Sequence, residues 1–169
     1  MPAKELRLIT FRLGSETFVV DIMAVRQIIP YAGSTSVPTA PSFVEGVVVV
    51  RNNVIPIVDL RERLYGRVDD ADRQPLLLIT HSTAGTIGLK VDEVRRIVNV
   101  SSDALLPPPP LIRGVRGDLL IALIPHGEDV LLLLDIESVL TVGEKQQLHS
   151  AKLSSSSSAG STAAGASDR

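Results

Sequence analysis

The chain has no cysteine and no tryptophan, and aromatics make up only 3% of its 169 residues. The first absence excludes disulfides, thiolate zinc sites and thiol nucleophiles together. Scarce aromatics mean a core built from Val, Ile and Leu, which favours sheet where the residues are β-branched. Strong charge of one sign is missing too, since the formal net charge is −2. Such a chain has no basic field to gather phosphates, and its two Tyr and three Phe offer few platforms for stacking bases. Nucleic acid is therefore not an expected partner. Long hydrophobic runs are absent as well. A stretch such as Leu119 to Pro125 falls far short of the roughly 20 apolar residues of a membrane span. The opening MPAKELRLITFRL carries charges where a secretory signal needs apolar residues. A soluble, cytoplasmic protein without direct membrane insertion is expected.

Catalytic and metal constellations are also missing. His81, His126 and His149 are scattered over a strand end, a turn and the tail, without metal-ligand spacing. No metal or cofactor is expected. Gly114 to Gly117 (GVRG) lacks the spacing of a phosphate-cradling loop, and no serine sits in a G-x-S-x-G elbow. The recurring acids Asp21, Asp59, Asp92 and Asp135 each stand at a strand end. Their carboxylates suit capping of the next turn's free N–H groups, at about 1 kcal/mol apiece. No enzyme is expected.

What is present centres on Gly46 to Leu64, GVVVVRNNVIPIVDLRERL. Two β-branched runs flank a polar break, and Asn52-Asn53 reads as a tight hairpin turn because asparagine tolerates positive φ. The second run ends at Asp59, with Glu62 at capping-box spacing and one helical turn closing at Leu64. Arg51 puts a charge at the mouth of that turn. Upstream, LRLITFRL and Phe18 to Val20 flank a turn, and IMAVRQII reads as a short helix or a helical turn running into a strand. Ser42 to Glu45 fits one helical turn. Downstream lie a charged linker, GRVDDADRQ, then strands at Leu76 to Thr80 and Thr86 to Val91. Asp92 to Val98 repeats the helix-or-turn character, and Pro107 to Pro110 must be extended. A last hairpin surrounds His126-Gly127 and leads to a helical turn over Asp135 to Leu140. From about Ser150 the Ser/Ala/Gly-rich chain cannot bury apolar area and is expected to be a disordered tail over 150–169. Short strands and frequent turns argue an all-β barrel architecture.

The chain also repeats itself. IMAVRQII, from Ile22, overlays VDEVRRIV, from Val91, and NVIPIVDLRERL, from Asn53, overlays DVLLLLDIESVL, from Asp129. The offset grows from 69 to 76 residues between the two blocks. Two blocks in one order, each with an Asp-headed turn, imply two pseudo-equivalent β-barrels with short helical turns.

These stretches together resemble the CheW domain family. FRLGSETFVVDIMAVRQII, VPTAPSFVEGVVVVRNNVIPIVDLRERL, IGLKVDEVRRIV and VLLLLDIESVL carry the likeness over roughly Glu5 to Val142. The resemblance implies two SH3-like five-stranded β-barrels sharing a hydrophobic seam, in one domain over 1–149. Its interleaved subdomains are expected at about 15–80 and 81–142, with the N-terminal strand and the ends contributing to the seam. It further implies a non-catalytic adaptor that couples chemoreceptors (methyl-accepting proteins) to a CheA-type histidine kinase. The receptor's helical cytoplasmic tip would lie between the barrels, and barrel ends would pair with the kinase regulatory domain. On that reading Val25, Gln27, Ile28, Gly46 and Arg51 stand at partner-binding positions. Gly46 and Arg51 match the glycine and arginine of the family's G-V-x-N-L-R-G signature, whereas Val49, Val50 and Asn52 depart from it. Gln27 replaces a glutamate common in the family. These departures leave open a divergent, non-motility chemosensory pathway. A generic small-barrel module for peptide or nucleic acid is the alternative from another class.

Overall fold

The computed structural model describes residues 2–66, 74–109 and 117–158. The β-branched and leucine runs become strands β1 (Glu5–Leu13), β2 (Glu16–Asp21), β3 (Val25–Pro30), β4 (Gly46–Val50) and β5 (Asn53–Asp59). After helix α1 (Leu60–Tyr65) come β6 (Leu76–Ser82), β7 (Gly85–Val91), β8 (Glu93–Ser101), β9 (Leu120–His126) and β10 (Asp129–Leu134). Helix α2 (Val142–Ser158) closes the described chain. The charged linker, the GVRG segment apart from Gly117, the last of the four prolines and residues 159–169 lie outside the described residues.

The strands form two five-stranded sheets, in the orders β8-β1-β2-β10-β9 and β3-β6-β7-β5-β4. Each curls into a small SH3-like barrel, and each contains one parallel pair, β2 with β10 and β7 with β5. Position for position, β8, β1, β2, β10 and β9 correspond to β3, β6, β7, β5 and β4. The duplicated blocks are β3 with β8 and β5 with β10. Each half of the sequence gives a hairpin to one sheet and three strands to the other. The division at about residue 80 is corrected on this point. β6 and β7 pair along their whole length, from Leu76↔Val91 to Ser82↔Gly85, so a boundary there would cut through a hairpin. β2 likewise belongs with β8 to β10, not with the strands that follow it.

Burial on both sides of the inner strands joins the two barrels. One face of β2 puts Phe18 and Val20 into the shared core, with Leu132 and Leu134 of β10 and Val58, Leu78 and Leu89 of the other sheet. The opposite faces fill each barrel separately: Val19, Leu131 and Leu133 in one, Ile55, Ile57, Leu77 and Ile79 in the other. Strands buried on both faces lose polar alternation, and LLLI and VLLLL are the result. Phe11 and Phe18, paired across β1 and β2, stack at 5.8 Å and are fully buried in the seam. Gly88 lets the strands pack closely: a Cβ there would lie 2.5 Å from Ile57 Cδ1, and that side chain would have to shift.

The irregular segment between β3 and β4 is held by charge. Lys90 Nζ donates to Glu45 Oε1 at 3.0 Å, lies 3.7 Å from Asp59 and sits 4.6 Å from the Tyr31 ring centre. Burial works against the Lys90 charge, but Glu45, Asp59 and Tyr31 outweigh it and hold the ammonium above the usual lysine value. Ser42 and Phe43 form a turn, closed by Val44 N–H donating to Pro41 O.

Two expectations change at the ends of elements. The β4–β5 turn is Arg51-Asn52 and not Asn52-Asn53, because β5 already starts at Asn53, paired with Val50. The tail is helical through Ser158, where disorder was expected from 150. Thr141 and Glu144 start that helix with reciprocal bonds, Glu144 N–H to Thr141 Oγ1 at 3.2 Å and Thr141 N–H to Glu144 Oε2 at 3.0 Å. Leu148, buried in the shared core, then ties the helix down.

Candidate functional site

The capping aspartates do structural work where strands end. Asp21 accepts from Met23 N–H at 2.9 Å and heads a single 3-10 turn over Ile22–Ala24, after which the chain enters β3. Asp59 accepts from Arg61 N–H at 2.9 Å and from Glu62 N–H at 3.4 Å. Asp135 accepts from Glu137 N–H at 3.1 Å. Asp92 differs and is a correction. β7 passes into β8 with no helical turn between them, so there are no following N–H groups to cap. Its Oδ2 instead accepts from Gly14 N–H at 2.6 Å and lies 3.2 Å from Arg61 Nε, which ties the β1–β2 turn to α1.

The five positions expected to meet partners separate by burial. Gly46 is buried at the head of β4, where an added Cβ would meet Ser34 Oγ at 2.4 Å and the Thr35 carbonyl at 2.9 Å. It permits close packing and offers no surface. Val25 is half-buried against the shared core. Gln27 is half-buried as well, whereas Ile28 and Arg51 are exposed, Ile28 over 41% of its surface.

Gln27 and Arg51 come together in one open cleft of about 450 Å³ at the end of the second sheet. β3 contributes Arg26 and Gln27, the β4–β5 hairpin contributes Arg51 and Val54, and the β6–β7 hairpin contributes His81 and Thr86. Two of these side chains are presented by irregular backbone. Arg26 sits in a register shift of β3 against β6, between Val25 and Gln27. Arg51 and Asn52 have φ of +50° and +66°, the left-handed pair of a type I′ turn. Beside that turn the cross-strand pair Val49 and Val54 is 69% and 61% exposed. Sequence reasoning did not place Arg26, His81, Val49 or Val54 at this site. Strict alternation along β3, with residues 26, 28 and 30 outward, is the signal that would have found the first.

A second depression, of about 360 Å³, lies between the Ser42-Phe43 turn, α1 and the start of α2. It is structurally occupied: Arg63 pairs with Glu144 and donates to the Val139 carbonyl at 2.7 Å. Among the described residues no group of His, Asp and Glu is arranged to hold a metal ion, and no helix is long and apolar enough to cross a membrane. Tyr65 keeps its hydroxyl buried without a partner among the described residues, and burial, aided by Glu16 and Asp92, pushes its pKa up to about 12.

Two fused small barrels, with capped crossings and an open cleft at one barrel end, define a binding scaffold. A model of the CheW-like domain family matches residues 7–144, and the chain belongs to that family. It is 29% identical over 149 residues to a chemotaxis protein CheW of Treponema pallidum, covering 86% of this chain and 88% of the relative. It is 30% identical over 139 residues to the chemotaxis protein CheW of Rhizobium meliloti, covering 82% and 90%. Its fold matches the crystal structure of the scaffolding protein TtCheW from Thermoanaerobacter tengcongensis with a TM-score of 0.74, at 21% identity over 85% of this chain and 92% of that one. The chain is a chemotaxis coupling adaptor of this family.

Proposed function

We propose that this adaptor joins the cytoplasmic tips of chemoreceptors to the regulatory domain of a CheA-type histidine kinase. It acts in the cytoplasm, held at membrane-associated receptor arrays through those partners. One observation carries the reading to particular residues. The barrel end that holds Gln27 and Arg51 also exposes the cross-strand pair Val49 and Val54, beside arginines that form no ion pair among the described residues. A lone exposed apolar residue is ordinary, but an exposed apolar pair beside such charges suits a protein contact. The test is co-purification of the full chain with a kinase regulatory domain and, separately, with a receptor-tip fragment. Complex formation with both is expected, and no complex with either at low salt refutes the reading.

A further inference from the structure

The cleft at the end of the second sheet is lined by two arginines, Arg26 and Arg51, with His81 beside them, and by no acid. Neither Arg26 nor Arg51 forms an ion pair among the described residues. Several cations elsewhere are matched, Arg63 by Glu144, Lys90 by Glu45 and Lys145 by Glu137, whereas Arg7, Arg12 and Arg96 of the first sheet form no ion pair among the described residues. The pseudo-equivalent end of the first sheet is different in charge. Its turn carries Gly127 and Glu128, and Arg95, the counterpart of Arg26, lies 3.6 Å from Glu93. The second barrel's end is set apart by two such arginines gathered in one cleft without an acid. Gln27 sharpens the point. It lines the same cleft, where a carboxylate would neutralise the arginines from within, and it presents an amide.

We propose that this cleft receives an Asp or Glu side chain of the partner protein, with an apolar neighbour of that acid resting on Val54. The identity of the partner rests on the coupling function proposed above; the chemistry of the cleft does not. A guanidinium offers a planar fork that matches a carboxylate, so Arg51 and Arg26 supply directional donors where lysine would supply only charge. The volume of about 450 Å³ accommodates one or two side chains and not a folded element. Since the chain as a whole is slightly acidic, the local field of this cleft also selects which end of the molecule an acidic segment meets.

The first experiment uses the full chain, labelled for NMR, and a hexaglutamate peptide as probe, with hexalysine as control. Shifts are expected at Arg26, Gln27, Arg51 and Thr86, fading with added salt and lost in Gln27→Glu, which supplies an internal carboxylate. No shifts, or shifts spread evenly over all lysines and arginines, overturn the proposal. The second experiment measures affinity for the kinase regulatory domain and the receptor tip. Gln27→Glu is expected to weaken one of them roughly tenfold or more and to flatten its salt dependence. Arg51→Asn, which keeps the left-handed turn, serves as the second variant if Gln27→Glu melts early. Unchanged affinity in both variants overturns the cleft assignment and leaves the coupling function standing. Peptide shifts at the cleft with neither partner bound sink the coupling function and leave the cleft standing. Concentration-dependent sedimentation that vanishes in Gln27→Glu assigns the acid to a second copy of this chain and overturns the partner assignment.

Discussion

Arg51 occupies backbone that an L-residue other than glycine or asparagine reaches only at a cost of roughly 1–2 kcal/mol. Its φ of +50° puts it at the first central position of a two-residue turn that Asn or Gly fills with less strain. Among the described residues little offsets that strain, since the side chain is exposed and the backbone carbonyl accepts a 3.3 Å bond from Asn53 Nδ2. Strain of this kind persists where the residue serves something other than stability. Arg51→Asn is therefore expected to stabilise the protein by about 0.5–1 kcal/mol while weakening partner binding. Urea unfolding and a binding titration on the same sample check both halves. A variant less stable than the parent would place the arginine side chain in the fold after all.

At the scale of elements, the strands and three of the four aspartate-headed turns could be read directly because both depend on neighbours in sequence. Apolar runs bounded by Asn, Gly and Asp leave few alternatives. Asp92 was misread because its partners, Gly14 and Arg61, are remote in sequence and meet it only where the sheets cross. The cleft was half legible. Gln27 and Arg51 could be singled out, but Arg26 and His81 join them only through a β-bulge and a distant hairpin. α2 was missed for another reason. Its serine-rich sequence has no apolar face, yet a helix started by the Thr141–Glu144 box and anchored at Leu148 propagates cheaply into it. That helix has a latch. Glu137 accepts from Thr83 N–H at 3.1 Å and from Thr83 Oγ1 at 2.5 Å, and Lys145 of α2 reaches it at 3.1 Å. The Thr83 hydroxyl first, then Lys145 and the Thr83 amide, hold its carboxyl below the usual glutamate range against a smaller opposing effect of burial. With the folded value depressed, the unfolded chain binds more protons in that window. The latch is present above the ordinary glutamate pKa and is lost as pH falls through the folded value. Amide exchange is expected to show Thr83 and the first turns of α2 losing protection on acidification, ahead of the sheets. In Glu137→Gln the same amides should be less protected at neutral pH and respond little to acid. Parallel loss in both proteins would remove Glu137 from the latch.

The whole molecule is two barrels that neither half of the chain can build alone. The first sheet takes β1 and β2 from the N-terminal half and β8 to β10 from the C-terminal half; the second takes the reverse. The largest apolar cluster is the seam and not the interior of either barrel, with Phe11, Phe18, Val58, Leu78, Leu89 and Leu132 drawn from both sheets. The duplication could be seen in the sequence, but the exchange could not, because swapped and unswapped hairpins bury the same residues in the same local pattern. It has a consequence for stability. Chain cut between Gly66 and Gln74 should yield two fragments that are each largely unfolded, since each holds a hairpin whose three partner strands are on the other piece. Mixed together, they should recover the circular dichroism of the intact chain and melt in one transition that depends on concentration. The uncut protein should likewise unfold in one step, whether followed near the Phe11–Phe18 stack or at a probe in β6. A fragment that folds alone, or two separate transitions in the intact chain, would mean that the barrels are independent. The cleft beside Arg51 would then be carried by the second barrel without help from the first. If the barrels melt as one, any partner that seats on that cleft also stabilises the opposite barrel, because a ligand bound to the native state alone lowers the population of the unfolded one.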